Sequence, residues 1–118
     1  MRLDVVGDDG NSYWHEYDTI RVSSEADFYY LSLYDYRGGT IVDMYNLPPP
    51  YWINGKGFYT YDKDSILQCA TDYHGGFWYD MCTLIAINGY DRKHNNQPWI
   101  MNVGNIVSSR MSLRDCRY

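Results

Sequence analysis

Fourteen tyrosines stand against three alanines (Ala26, Ala70, Ala86) in a chain of 118 residues. That imbalance narrows the fold more than any other feature. Alanine is the strongest helix former, whereas tyrosine favours the pleated, half-buried surface of a strand. Four Trp and three Phe raise the aromatic share to 18%, and 10 Gly with 4 Pro supply turns. A helical bundle is therefore disfavoured. Intrinsic disorder is disfavoured too, because disordered chains lack the aromatic surface found here. The length suits one domain with a single core.

Charge removes further classes. Ten basic residues against fifteen acidic give a net charge of −5. A general binder of nucleic acid or of an anionic membrane needs concentrated Lys and Arg. Here the basic residues gather only at the end, as Arg110, Arg114 and Arg117. No apolar run reaches the length of a membrane span. The opening Met1-Arg2-Leu3-Asp4 has no hydrophobic stretch of the signal-peptide kind, so the chain reads as intracellular or as a piece of something larger.

Along the chain, Asp8-Asp9-Gly10-Asn11-Ser12 is a turn signal between apolar-alternating segments. It predicts a hairpin in which Leu3, Val5 and Val6 pair with residues near Tyr17 to Val22. A second strand is predicted from Phe28 to Tyr36, where Tyr29, Leu31 and Leu33 alternate with Phe28, Tyr30, Ser32 and Tyr34. Glu25 and Asp27 sit in the turn before it. Arg37-Gly38-Gly39 breaks the strand, and Pro48-Pro49-Pro50 excludes a helix or central strand nearby. A long irregular loop is expected from Gly38 to Gly57. One or two helical turns follow between Ser65 and Asp72, stopped by Gly75-Gly76. An Asn-rich loop spans Asn88 to Pro98, and Ile106 to Leu113 closes the chain as a strand. This divides a single domain into a sheet (1–36 and 104–116) and a loop-rich region (37–103).

Chemistry-bearing residues concentrate in that loop-rich region. Cys69 and Cys82 are thirteen apart. They are either a bridge closing a short loop or two buried thiols. Cys116 is an odd third cysteine and a candidate for pairing with another chain. Asp62-Lys63-Asp64 places two carboxylates at i and i+2, a pattern that serves a hard cation or merely a solvated turn. His15, His74 and His94 share no zinc spacing with the cysteines. Cys69 with His74 lacks a third group or an oxyanion device, and no phosphate-binding Gly loop is present. Nothing in these spacings points to an enzyme. Of the aromatics between Tyr73 and Tyr79, Phe77 and Trp78 read as core, with Tyr73 and Tyr79 open to either role.

The same block carries a family resemblance. Phe58-Tyr-Thr-Tyr-Asp62-Lys-Asp64, Cys69-Ala70, Tyr73-His-Gly-Gly-Phe-Trp-Tyr79, Cys82 and Ile87-Asn88-Gly89-Tyr90 resemble, in order, motifs of the fibrinogen C-terminal (fibrinogen-related) domain. Met1-Arg2-Leu3-Asp4, Glu16-Tyr17-Asp-Thr-Ile20-Arg-Val22 and Met111-Ser-Leu-Arg114 extend the likeness to almost the whole chain. The family domain is roughly twice as long, and this chain resembles its latter part.

The resemblance implies a fold that is α+β but mainly β, a twisted antiparallel sheet with a loop-rich part carrying a calcium loop and an adjacent pocket. It implies a bonded Cys69–Cys82 pair, calcium at Asp62 and Asp64, and ligand contacts from Tyr73, His74, Tyr79 and Thr83. It further implies a secreted, lectin-like recognition module of innate-immune type. The partners would be acetylated sugars or other glycans, or protein ligands. The chain also departs from the pattern: the third acid of the calcium motif falls on Ile66, the pocket His on Thr83, and an Asn on Ala86. Those losses favour an alternative, a degenerate fragment with a structural or assembly role, joined to a partner through Cys116 and without ligand or calcium.

Overall fold

The structure, a computed structural model, describes residues 1–49 and 51–114. Alternation writes the first hairpin. Strand β1 (Arg2–Gly7) buries Leu3 and Val5 and leaves the intervening residues half-exposed, and β2 (Ser12–Val22) follows after one tight turn. The amide of Gly7 donates to the Asn11 carbonyl, and that of Gly10 to Gly7. A turn this short pairs nearest neighbours, so Leu3 faces His15 and Val5 faces Tyr13. The predicted partners of β1 at 17–22 lie beyond its end. They pair instead with β3 (Leu31–Gly39), Ile20 facing Leu33 and Val22 facing Leu31.

Strand β3 begins three residues later than the alternation suggests. A 3-10 turn at Glu25–Asp27 ends in Phe28 and Tyr29, both left-handed (φ 57° and 52°), which no strand accommodates. At its far end β3 runs through Gly38 and Gly39, predicted as a break. Their positive φ values of 109° and 131° let the strand bend where the pairing shifts between Glu16 and Tyr17. From there to residue 57 the described residues are irregular as expected, apart from a 3-10 turn at Met44–Asn46. This loop is nonetheless core material: Ile41, Met44, Leu47 and Ile53 are all buried against the sheet.

Beyond it come β4 (Phe58–Tyr59), helix α1 (Cys69–Tyr73) and β5 (Phe77–Trp78), with β4 and β5 forming a two-stranded ribbon. The helix starts at Cys69 because Gln68 is left-handed (φ 56°), which detaches Ser65–Gln68 as a separate turn. The region read as an Asn-rich loop is largely strand: β6 (Ile85–Asp91) and β7 (Gln97–Ile100) pair antiparallel around a 3-10 turn at Arg92–His94. The carboxylate of Asp91 caps that turn by accepting from the His94 amide, and this converts a polar stretch into a tight reversal. Last is β8 (Gly104–Ser112), as predicted to within two residues.

These strands build one six-stranded sheet in the order β3-β2-β1-β8-β7-β6. All its pairings are antiparallel, and β8 lies in the middle, between β1 and β7. The loop-rich region thus contributes two strands to the sheet that was expected to hold only 1–36 and 104–116. Residues 115 and 116 of that expectation lie outside the described residues. No helix among the described residues is long and apolar enough to cross a membrane.

Candidate functional site

Part of the chemistry in the sequence block gathers at helix α1. Its first residue, Cys69, is bonded to Cys82 with the Cα atoms 5.0 Å apart. The carboxylate of Asp64 reaches over the start of the helix. One oxygen accepts from the amides of Ser65 (2.8 Å) and Ala70 (3.0 Å), the other from the amide and hydroxyl of Thr71 (2.9 and 2.7 Å). Burial alone would raise this carboxyl, but the bonds from Thr71, Ala70 and Ser65 outweigh it and hold the group below the ordinary carboxylate range. Asp62 is exposed and accepts from the Thr60 hydroxyl at 2.6 Å, which lowers its pKa as well.

At the other end of α1 the chain passes very close to β6. A Cβ on Gly89 would collide with the Tyr73 carbonyl, and one on Gly75 with the Asn88 carbonyl, so both positions require glycine. His74, left-handed at φ 58°, lays its ring parallel to Tyr90, with centroids 4.2 Å apart, and its Nδ1 donates to the Tyr90 carbonyl at 3.0 Å. His74 and Asp62 then line a single groove of about 420 Å³, with Thr60, Tyr61 and Thr71 around it and Ala70, Gly75 and Gly76 completing its lining. The walls are mainly apolar, and Tyr61 stands 83% exposed at the groove.

Tyr73 belongs to a different cluster. Its ring stacks on Tyr79 (6.4 Å) and tilts against Trp99 (6.3 Å), and Trp99 lies flat on His94 at 3.9 Å. Asp91 ties this cluster together, accepting from His94 Nδ1 at 2.7 Å and from Trp99 Nε1 at 3.2 Å. Burial raises the Tyr73 phenol, with Asp91, Tyr51 and Asp72 adding to it. Asp91, His94 and Trp99 were not singled out as a group by sequence reasoning. The available signal was the Asp91-x-x-His94 spacing, which is that of a capped turn.

The family model for fibrinogen beta and gamma chains, C-terminal globular domain, matches residues 1–115. The chain belongs to this family. Among curated relatives it is 34% identical to human (Homo sapiens) ficolin-3 over 92 residues, covering 75% of this chain and 29% of that protein. It is 36% identical to mouse (Mus musculus) tenascin over 103 residues, 85% of this chain and 4% of that protein. To bovine (Bos taurus) angiopoietin-4 it is 30% identical over 100 residues, 80% of this chain and 19% of the relative. In fold it matches the fibrinogen-like globe domain of human ANGPTL6 with a TM-score of 0.74 at 21% identity, over 92% of this chain and 52% of that one. Lamprey fibrin D-dimer, solved with the peptide Gly-His-Arg-Pro-amide, matches with a TM-score of 0.73 at 16% identity, over 89% and 41%. The chain therefore spans about half the length of the solved globe domain and under a third of these curated relatives.

Within this fibrinogen-like frame the expected site residues separate. Asp62 and His74 share the groove, and Tyr73 sits in the neighbouring aromatic cluster. Tyr79 and Thr83 are buried, at 3% and 2% exposure. The Thr83 hydroxyl exchanges hydrogen bonds with the backbone of Ile85, and the Tyr79 hydroxyl donates to the Gly75 carbonyl, so both hydroxyls serve the packing. The calcium expectation meets a similar obstacle. Calcium takes six to eight oxygens from carboxylates, carbonyls and water. Both Asp64 oxygens are already engaged by four donors, Ile66 stands fully exposed where a third acid would be, and no cluster of three metal-binding side chains exists among the described residues. A cation at Asp64 would have to share its oxygens with those donors. Cys116 lies outside the described residues.

Proposed function

We propose that this chain is an extracellular, non-enzymatic recognition module that binds a glycan, with an acetylated sugar as the first candidate, in the groove between Asp62 and His74. The observation that carries this reading is the groove itself. Its volume of about 420 Å³ falls in the range of small-ligand sites, and it combines apolar walls with a few hydrogen-bonding groups. A sugar asks for that combination: an aromatic face for its C–H surface and polar groups for its hydroxyls. Tyr61 supplies the first, and Asp62, Thr71 and His74 the second. Recognition there draws on side chains alone and on no cation. The Cys69–Cys82 bond supports an oxidising, secretory setting. A short protein segment is the alternative ligand for the same groove.

Titration of the isotope-labelled protein with N-acetylglucosamine, and with glucose as control, tests this. Shifts should cluster on Tyr61, Thr71 and His74 for the acetylated sugar and disappear in His74→Ala. An unperturbed spectrum with acetylated sugars would remove the glycan reading. A second reading, a structural or assembly fragment, is favoured by the burial of Tyr79 and Thr83 and by the engagement of Asp64. It would gain if neither sugars nor peptides perturb the groove.

A further inference from the structure

Strand β3 breaks its own alternation at Asp35. In a regular strand this residue would point to the face opposite Tyr34 and Tyr36. Here its φ of 59° is left-handed, and Tyr34, Asp35 and Tyr36 all line one cavity of about 310 Å³. A side-chain-bearing residue in that conformation is uncommon, and such positions gather at functional sites. Tyr17, from β2, is the buried member of the lining, while Asp43 and Tyr45 come from the 3-10 turn after β3. Four phenols and two carboxylates thus share the cavity, on three segments of this chain.

The walls are held by specific bonds. The Tyr17 hydroxyl donates to the Asp43 carboxylate and accepts from the Met44 amide, both at 2.6 Å. The Tyr36 ring lies 5.3 Å from that of Tyr17, tilted by 55°, and its hydroxyl donates to the Ile41 carbonyl at 3.2 Å. Asp43 also accepts from the Tyr45 amide at 2.9 Å and the Asn46 side chain at 3.2 Å. These donors are all neutral, so the charge of Asp43 stays in place. Burial, and after it that charge, raises the Tyr36 phenol. Asp35 is exposed and accepts no hydrogen bond among the described residues. The cation beside it, Arg37, is paired with Asp18 at 2.7 Å and feels Asp35 less than Asp18.

Few ligands suit rings and carboxylates together. An anion is repelled by both acids. A bare metal ion asks for several oxygens in its shell and makes no use of phenol faces. An uncharged apolar guest leaves the carboxylates unanswered. A large, weakly hydrated organic cation answers both, with its C–H surface on the rings and its charge facing the acids. We propose that this cavity is an aromatic cage for an alkylated ammonium head, of the kind carried by choline and by methylated lysine. Tyr34, Tyr36 and Tyr45 supply ring surface, and Asp35 with Asp43 the negative field. The cage shares no lining residue with the Asp62–His74 groove and stands independently of the glycan reading.

The test is titration of the isotope-labelled chain with choline, with trimethyl-lysine, and with the uncharged isostere of choline in which carbon replaces nitrogen. Both cations should shift the resonances of Tyr34, Asp35, Tyr36 and Tyr45, and the isostere should leave them in place. The tighter of the two cations tells whether the head comes from a choline compound or from a modified protein. Asp35→Asn keeps a side chain that tolerates left-handed backbone and removes one charge, and should weaken choline about fivefold or more. Tyr34→Leu should weaken it about fivefold, the worth of one cation–ring contact, and Tyr34→Phe should restore it. Tyr45→Leu should act as Tyr34→Leu does and covers the case in which that variant fails to fold. Far-ultraviolet spectra check the fold of each. No shift with either cation, or equal shifts with choline and its isostere, overturns the proposal. Unchanged choline affinity in a folded Asp35→Asn overturns it as well.

Discussion

The six-stranded sheet and the cysteine block from Phe58 to Gly89 hold the chain by different means. In the sheet, side-chain alternation does the work. Leu3, Val5, Leu31 and Leu33 are each no more than 2% exposed, and long ladders satisfy the backbone on either side of them. The block has only two-residue strands and a five-residue helix before β6 begins. Its conformation rests on single groups: the Cys69–Cys82 bond, the four hydrogen bonds on Asp64, and the absence of a Cβ at Gly75 and Gly89. A sheet averages over many similar contacts, so surface changes there are absorbed. A region pinned at points loses its geometry when one point goes, and the groove belongs to that region.

Two substitutions strain the contrast from its two sides. Leu33→Ala removes a fully buried side chain from the sheet and should cost about 2–5 kcal/mol, seen as an earlier midpoint in denaturant unfolding. Replacing Cys69 and Cys82 together by Ser should cost about 3 kcal/mol, the entropy of a short closed loop. The two differ in where the damage spreads. Amide exchange should accelerate everywhere in Leu33→Ala, but chiefly between residues 58 and 84 in the cysteine variant. Uniform exchange in both would mean that sheet and block unfold as one unit and that the contrast is only descriptive.

Asp64→Ala sharpens the same contrast at lower cost. Loss of a capping carboxylate should destabilise by about 1–2 kcal/mol, and by the same amount in calcium and in chelator, because its oxygens serve amides and a hydroxyl. Thermal unfolding under both conditions checks this. If calcium raises the wild-type midpoint and the effect vanishes in the variant, Asp64 is a metal ligand after all.

The same difference explains what could be read from the sequence. Strand patterns in β1, β2 and β8 were legible because alternation and an Asp-Gly turn are local signals. The start of β3 was misplaced because nothing in the order Phe28-Tyr29-Tyr30 announces two left-handed residues. Strands β6 and β7 were missed because Asn88, Asn95, Asn96 and Pro98 look like loop. Their strand character comes from pairing with each other and, at the end of β7, with β8. In the block, the motif order identified the family and the bonded cysteines, but motif spacing does not reveal which oxygen a proton donor will reach. The Asp64 carboxylate reads as a cation ligand, and nothing in the spacing announces its bonds from Ala70 and Thr71. Burial of Tyr79 and Thr83 was likewise invisible, since each depends on packing from distant segments.

The smallest expected effect lies at a residue that belongs to the sheet yet behaves like a pinned point. His15 is fully buried, with Nδ1 donating to the Val42 carbonyl at 3.0 Å and Nε2 without any partner. Tyr17 and Tyr36 enclose the ring edge-on at 5.2 and 6.3 Å, and Asp43 is the acid near it. Burial, the largest influence, pushes the imidazole pKa below its ordinary value, against smaller opposing pulls from the Val42 carbonyl and Asp43. The folded state therefore binds this proton less readily than the unfolded chain, whose histidine titrates at about 6.5. Stability from neutral His15 is complete above that pH. It declines as the pH falls towards the depressed folded value, by at most about 1.4 kcal/mol per pH unit for one proton. Urea unfolding at a series of pH values should show this slope in wild type and its loss in His15→Leu, whose side chain fills the site without titrating. An equal slope in both would assign the acid sensitivity to groups other than His15.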